Sequence, residues 1–250
     1  MRTASPRASH DEEEESYFIS MSDMMVGLVF IFVIMLVYFA LQYRKTTEEL
    51  AGASQTRTKI LQDLERRLKD KGVQVTVDYD TGVLRLPEKV LFAKGQADLS
   101  PSGVMAVRTV AGEMAKVLPC YTFNAPRAGC RATPHRIDAI FVEGHTDIDR
   151  IAPGSRWKDN IDLSAMRATN VYRDLITASP LLKQLENQPP SEGDPVPILS
   201  VSGYGENRPV DKAFTEIAKA KNRRIDLRFL MATPATPESA PLRDVLVKGR

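Results

Sequence analysis

The chain holds two cysteines, three histidines and one tryptophan in 250 residues, and each scarcity closes off a class of function. Cys120 and Cys130 are too few for a structural zinc site, and His10 and His135 stand alone. There is neither a glycine-rich phosphate loop nor a nucleophile with its base, so the chain is not read as an enzyme, and no cofactor is expected. Excess charge is lacking too: 34 Lys and Arg against 32 Asp and Glu leave a net +2, no footprint for nucleic acid. The N-terminus shows no basic n-region and no small-residue cleavage site, so its apolar run is expected to stay as an anchor.

That run is the most informative stretch. From Met24 to Leu41 about 18 residues carry no charge and no strongly polar side chain, roughly the minimum for a helix to cross the hydrocarbon core of a bilayer. Tyr17 and Phe18 bracket it at one end and Tyr38, Phe39 and Tyr43 at the other, where amphipathic rings settle at the headgroup layers. Asp23 lies inside the bracket, about 9 Å from the first aromatic layer along a span of about 39 Å. A carboxylate there is costly and is a functional candidate by default; its position alone also suits the positive end of a helix dipole. Gly27, one turn on, would let a neighbouring helix approach closely.

The rest divides by composition. Residues 1–22, with Arg2 and Arg7 against Asp11 and Glu12 to Glu15, form an acidic segment too polar and short to fold alone and are expected to be a flexible tail. Residues 23–43 are the transmembrane helix and 44–71 a helical stem, in which Leu50, Ile60, Leu61, Leu64 and Leu68 recur at helical spacing. The stripe could pack on the chain's own domain, but a parallel dimer is the preferred expectation. Residues 72–230 alternate strands and helices after an opening hairpin: Val73 to Tyr79 and Val83 to Leu86 around Asp80-Thr-Gly82, a helix entered at Pro101, a strand Ile137 to Glu143, a helix from about Leu163 to Ala178, a strand Ile198 to Val201, a short helix Phe214 to Ala220 and a last strand Ile225 to Leu230. The expected fold class is therefore a single N-terminal transmembrane helix followed by an α+β domain, a mixed sheet with helices packed against it. Residues 231–250 are expected to be a mobile tail.

The run Ser20-Met-Ser-Asp-Met-Met-Val-Gly-Leu-Val-Phe-Ile-Phe32 resembles the single span of MotB-type stator subunits, and more closely that of the MotB-like (ZorB) subunits of Zorya anti-phage defence systems. Four segments of the domain resemble the OmpA-like peptidoglycan-binding family: Leu91-Phe92 through Gly103, Val142-Glu-Gly-His-Thr-Asp147, Asn160-x-x-Leu-Ser-x-x-Arg-Ala168, and Val201-x-Gly-Tyr-Gly-Glu-x-x-Pro209 followed by Asn222-Arg-Arg-Ile-Asp226. The resemblance implies that Asp23 carries a translocated proton or sodium ion. It implies a homodimer inside a ring of MotA-like (ZorA-like) subunits, anchored to peptidoglycan and driving defence against phage. A flagellar MotB-type stator and a passive envelope tether are the alternatives.

The same resemblance assigns the wall site. Diaminopimelate in the peptidoglycan stem is a zwitterion, so its site needs a fixed anion near a fixed cation. Asp147 of the Thr146-Asp147 pair would take the ammonium and Arg167 the carboxylate through its forked donors, with Asn160 and Leu163 lining the pocket. If both charges face an open pocket, replacing either should leave stability little changed. The other reading is that Thr146 and Asp147 only cap a turn and Arg167 pairs on a helix surface. One departure is a longer segment, Ile148 to Asp159, expected to bulge outward unless it covers the pocket. Glu143, His145 and Asp147 alternate as metal ligands might, but the strand-ending motif accounts for all three and no metal is expected.

Local charge and resemblance disagree on orientation. Arg44, Lys45, Arg57 and Lys59 follow the span and only Arg7 precedes it nearby, which by the positive-inside rule would keep the domain in the cytoplasm. The resemblance places the N-terminus in the cytoplasm and the domain in the periplasm of a single-pass inner-membrane protein, and is followed here. An oxidising periplasm would then pair Cys120 with Cys130.

Overall fold

With no proline between Ala8 and Asp70 to interrupt backbone hydrogen bonding, that whole segment is one helix, α1 (Ala8–Asp70). The computed structural model describes residues 8–93, 95–123, 129–130, 133–188 and 194–233, with side chains from Phe18 onward except Ile19. Helix α1 ends where Gly72 adopts φ +77° and the Val73 N–H donates to the Leu68 carbonyl at 2.9 Å, a closure that favours glycine because it has no Cβ. The chain forms two units, Met1–Glu49 and Leu50–Arg250.

In the first unit the segment expected to be a flexible tail is helical from Ala8 onward. The helix continues this segment into the span. The apolar side chains from Met24 to Leu41 are uncovered by the rest of the chain, and the helix is long and apolar enough to cross a membrane, with a mean hydropathy of 2.9 over its most apolar window. Asp23 is exposed among them and a Cβ at Gly27 would meet nothing.

The second unit corrects the expectation for the stem. Ile60, Leu61, Leu64 and Leu68 are not left for a twin helix; all four are buried in one core with Leu84, Leu86, Val107, Val110, Met114 and Phe229. Burying each such side chain contributes about 1.5–3 kcal/mol, so the end of α1 is part of the domain. Arg57 fastens it further, donating from Nη2 to the Asp80 carbonyl at 3.0 Å.

The remaining elements follow the expected order with small shifts: β1 (Thr76–Asp78), β2 (Val83–Pro87), α2 (Glu88–Leu91), α3 (Pro101–Val117), a 3-10 turn Leu118–Tyr121, β3 (Ile137–His145), α4 (Asn160–Ala178), α5 (Leu181–Gln184), β4 (Leu199–Gly203), α6 (Glu216–Asn222) and β5 (Arg224–Met231). Of the expected C-terminal tail, residues 234–250 lie outside the described residues. The sheet order is β1-β2-β5-β3-β4, antiparallel except for the parallel pair β3/β4. Ser100 caps α3 by accepting from the Gly103 N–H at 3.0 Å, and Asp159 caps α4 by accepting from the Asp162 N–H at 2.8 Å. Helix α4 packs close to the sheet because Gly144 and Gly203 lie beneath it: a Cβ at Gly203 would stand 2.6 Å from the Ala165 backbone, and one at Gly144 would strike the Ser164 carbonyl.

Candidate functional site

The close seating of α4 on β3 and β4 puts the first turns of the helix beside the end of β3, where the chain leaves the sheet at Thr146 and Asp147. Thr146, Asp147, Asn160, Leu163 and Arg167 all line one cavity of about 550 Å³. The five residues singled out from the motifs therefore come together. They are not, however, arranged as a free anion opposite a free cation.

Arg167 is 2% exposed. Its Nη2 donates to Glu88 Oε1 and its Nε to the Gln96 carbonyl at 2.8 Å, with the guanidinium 5.2 Å from the Phe92 ring centroid. Asp147 Oδ2 accepts from Arg223 Nη1 at 2.5 Å, while Arg223 Nε stands 2.7 Å from the other Glu88 oxygen. The charges thus alternate in a chain, Arg167, Glu88, Arg223, Asp147. Burial lowers the Arg167 pKa against the support of Glu88, whereas at Arg223 burial is outweighed by Asp147 and Glu88, which raise it. The reading of Arg167 as a surface pair is excluded by its burial, and Asp147, though it lines the same cavity, is itself only 8% exposed. Asn160 Nδ2 donates to the carbonyls of Asp149 at 3.0 Å and Asp147 at 3.4 Å, holding the loop against α4. Thr146 Oγ1 is buried with no hydrogen-bond partner among the described residues, and its N–H donates to the Gly205 carbonyl at 2.9 Å.

The segment Ile148 to Asp159 does not bulge away. Ile151, Ala152, Ser155 and Trp157 form part of the cavity wall. Trp157 Nε1 donates to the Gly95 carbonyl at 3.1 Å, Arg156 pairs with Asp98 at 2.9 Å while covering the Trp157 ring, and Asp149 pairs with Lys219 at 2.9 Å. The insertion is long enough to reach the 95–98 loop, and an indole with a carbonyl partner anchors it there.

Sequence reasoning missed Glu88, Arg223 and this wall. Arg223 stood within the quoted Asn222-Arg-Arg motif but was given no role. Glu88 had no motif signal, only its place just before Leu91-Phe92.

On the sheet face away from α4 lies a second cluster. Glu143 and His145 meet Asp226, which is Glu143's partner across the β3/β5 ladder; Asp147 does not join them, correcting the alternation suggested by the sequence. His145 Nε2 is 3.6 Å from Asp226 Oδ2 and 3.8 Å from Glu143 Oε2, and Tyr204 stacks on the ring at 5.4 Å. Arg228 holds both Glu143 oxygens at 2.8 and 2.9 Å and Arg224 Nε holds Asp226 at 3.0 Å. Burial alone would raise the Glu143 pKa, but His145 and Arg228 hold it down at about 2. Burial lowers the His145 pKa against the opposing pull of Glu143 and Asp226. With Arg85 Nε 3.6 Å from Asp226 Oδ1 as well, two carboxylates and three guanidiniums make an internal charge network, and an added cation would have to displace the arginines.

Cys120 and Cys130 are joined as a disulfide, Cα to Cα 5.3 Å, between the 3-10 turn and β3.

No protein-family model matches the chain. Motility protein B of Bacillus subtilis (strain 168) is 26% identical over 189 residues, 73% of this chain; the match spans 57% of that protein's length. A crystal structure described as a putative MotB like protein from Desulfovibrio vulgaris superposes with a TM-score of 0.50 at 23% identity, covering 70% of this chain and 94% of that one. The periplasmic domain of Helicobacter pylori MotB gives 0.43 at 22% identity, over 67% and 82%. The sheet and its helices thus have a MotB-like fold, joined to one N-terminal apolar helix.

Proposed function

We propose that the chain is the wall-anchored, MotB-like subunit of a stator-type complex in the inner membrane, its N-terminus cytoplasmic and its domain periplasmic. The observation that carries this reading is the cavity in which Arg167, Glu88, Arg223 and Asp147 alternate in charge. A diaminopimelate zwitterion extends such a chain without breaking its alternation: its ammonium displaces Arg223 from Asp147, and its carboxylate takes the freed guanidinium together with Arg167. Peptidoglycan would be held at this point.

The helix supplies the other half. Asp23 is the only charged residue between Phe18 and Leu41; in a homodimer within a ring of MotA-like subunits it would load and release a proton or sodium ion. One elementary charge crossing 100 mV releases about 2.3 kcal/mol, enough to drive a rotation that the wall anchor resists. The work is that of an ion-driven motor rather than an enzyme. The span's resemblance to ZorB-type subunits supports Zorya defence as the output. The similarity to a protein named for motility favours a flagellar output as the second reading.

The test uses cells carrying the chain with its neighbouring membrane subunit. Asp23→Asn is expected to abolish phage protection with expression and assembly unchanged, and normal protection would remove the ion-carrying role. Asp147→Ala should weaken retention on isolated sacculi by about tenfold to a hundredfold. Loss of swimming rather than of protection on deleting the chain would select the flagellar reading.

A further inference from the structure

Four acidic and four basic side chains line the cavity, and they are not all paired. Every acidic side chain lining it already has a basic partner: Glu88 has Arg167 and Arg223, Asp147 has Arg223, and both Asp149 and Glu216 have Lys219. Two basic side chains lining the same cavity, Lys89 on α2 and Arg150 on the insertion, are exposed and make no ion pair or side-chain hydrogen bond among the described residues. The cavity therefore presents paired charges in its depth and unpaired positive charge at its rim. Arg150 does not hang on a loose loop: the insertion is tied down at Asp149, Arg156 and Trp157, which lowers the ordering cost of using it.

We infer that the cavity selects stem peptides that carry a free carboxylate beyond the zwitterion, Lys89 and Arg150 receiving that second anion. This rests on the wall-binding reading above. A stem peptide offers such a group next to diaminopimelate: D-glutamate is linked through its side-chain carboxyl and leaves its α-carboxylate free. Amidation to D-isoglutamine turns it into a carboxamide of nearly the same shape with no charge. Two exposed cations facing one carboxylate discriminate between these forms by about tenfold. Amidated and unamidated walls are thereby distinguished by the rim, while the paired groups beneath serve both.

The test is calorimetric titration of the full-length protein in nanodiscs with two soluble disaccharide tripeptides, identical except for D-glutamate or D-isoglutamine at the second position. The wild type is expected to bind the acidic form about tenfold more tightly, and the ratio should fall to near one in the Lys89→Gln, Arg150→Gln double variant. A charge-matched control, Lys183→Gln with Lys212→Gln, both exposed and outside the cavity, should keep the wild-type ratio. Equal affinities in the wild type, or a preference that survives in the Lys89, Arg150 variant, would overturn the inference and leave wall binding standing. Failure of the wild type to bind either peptide would overturn wall binding and the inference together.

Discussion

Arg167→Ala is expected to cost the domain stability as well as its ligand. The guanidinium is 2% exposed and pairs with Glu88, itself 9% exposed; its removal leaves a carboxylate in a poorly solvated place and the Gln96 carbonyl without a donor. Removing one partner of a buried pair costs about 3–5 kcal/mol. Glu88 keeps Arg223 at 2.7 Å, so the lower end, about 3 kcal/mol, applies. In a domain of this size each kcal/mol moves the midpoint by about 2–4 °C, giving a fall of about 6–12 °C. Asp147→Ala should behave differently, because Arg223 retains Glu88 and is partly exposed to water; about 1 kcal/mol is expected. Thermal unfolding of the full-length protein in detergent, followed by near-UV circular dichroism, separates the two. Replacing the pair together, Glu88→Leu with Arg167→Met, should recover part of the loss, since an apolar pair of similar volume strands no charge. If Arg167→Ala melts within about 2 °C of wild type, Arg167 is not held as described and the pairing with Glu88 carries no stability.

Leu64→Ala should destabilise the second unit by about 2–5 kcal/mol, because Leu64 is fully buried in its core; an unchanged melt with a weakened dimer would return the stripe to a helix–helix interface. Glu143→Gln tests the charge network by pH. A carboxylate held at about 2 against an ordinary 4.5 contributes about 3 kcal/mol above pH 4.5, lost as pH falls from about 4.5 to about 2. The stability gap between wild type and Glu143→Gln should close over that window, and a gap independent of pH would refute the ionised pairing with Arg228. Reduction of the Cys120–Cys130 bond should cost about 2–3 kcal/mol, and thiol labelling of unreduced protein from cells should find neither cysteine; finding both free would count against a periplasmic domain.

Much of this architecture was legible because its signals are local. Hydrophobic periodicity located α3, α4, β2 and β5 to within a few residues, and Pro101 and Gly72 marked ends that need a fixed or a left-handed φ. The stem was misassigned because an apolar stripe such as Ile60 to Leu68 shows that a face is buried, not what buries it. At the site, motifs brought Asp147 and Arg167 to one cavity but could not show that they are already neutralised. Their partners, Glu88 and Arg223, lie 79 residues from Arg167 and 76 from Asp147 respectively, and a pairing over such distances leaves no periodic trace. The insertion's course was hidden for the same reason, since it depends on a carbonyl at Gly95, which any residue could supply.

The sheet order has a consequence for how the protein comes into being. Strand β5, the last of the described strands, lies between β2 and β3, and Val83 pairs with Arg228. At about 5–20 residues per second of synthesis, roughly 7–29 s separate those two residues, during which β2 and β3 have no middle strand to join. Arg223 arrives immediately before β5, so its ion pairs in the cavity and the centre of the sheet close together. A chain that stops short of residue 223 therefore has no middle strand between β2 and β3 and lacks the guanidinium that pairs with Asp147.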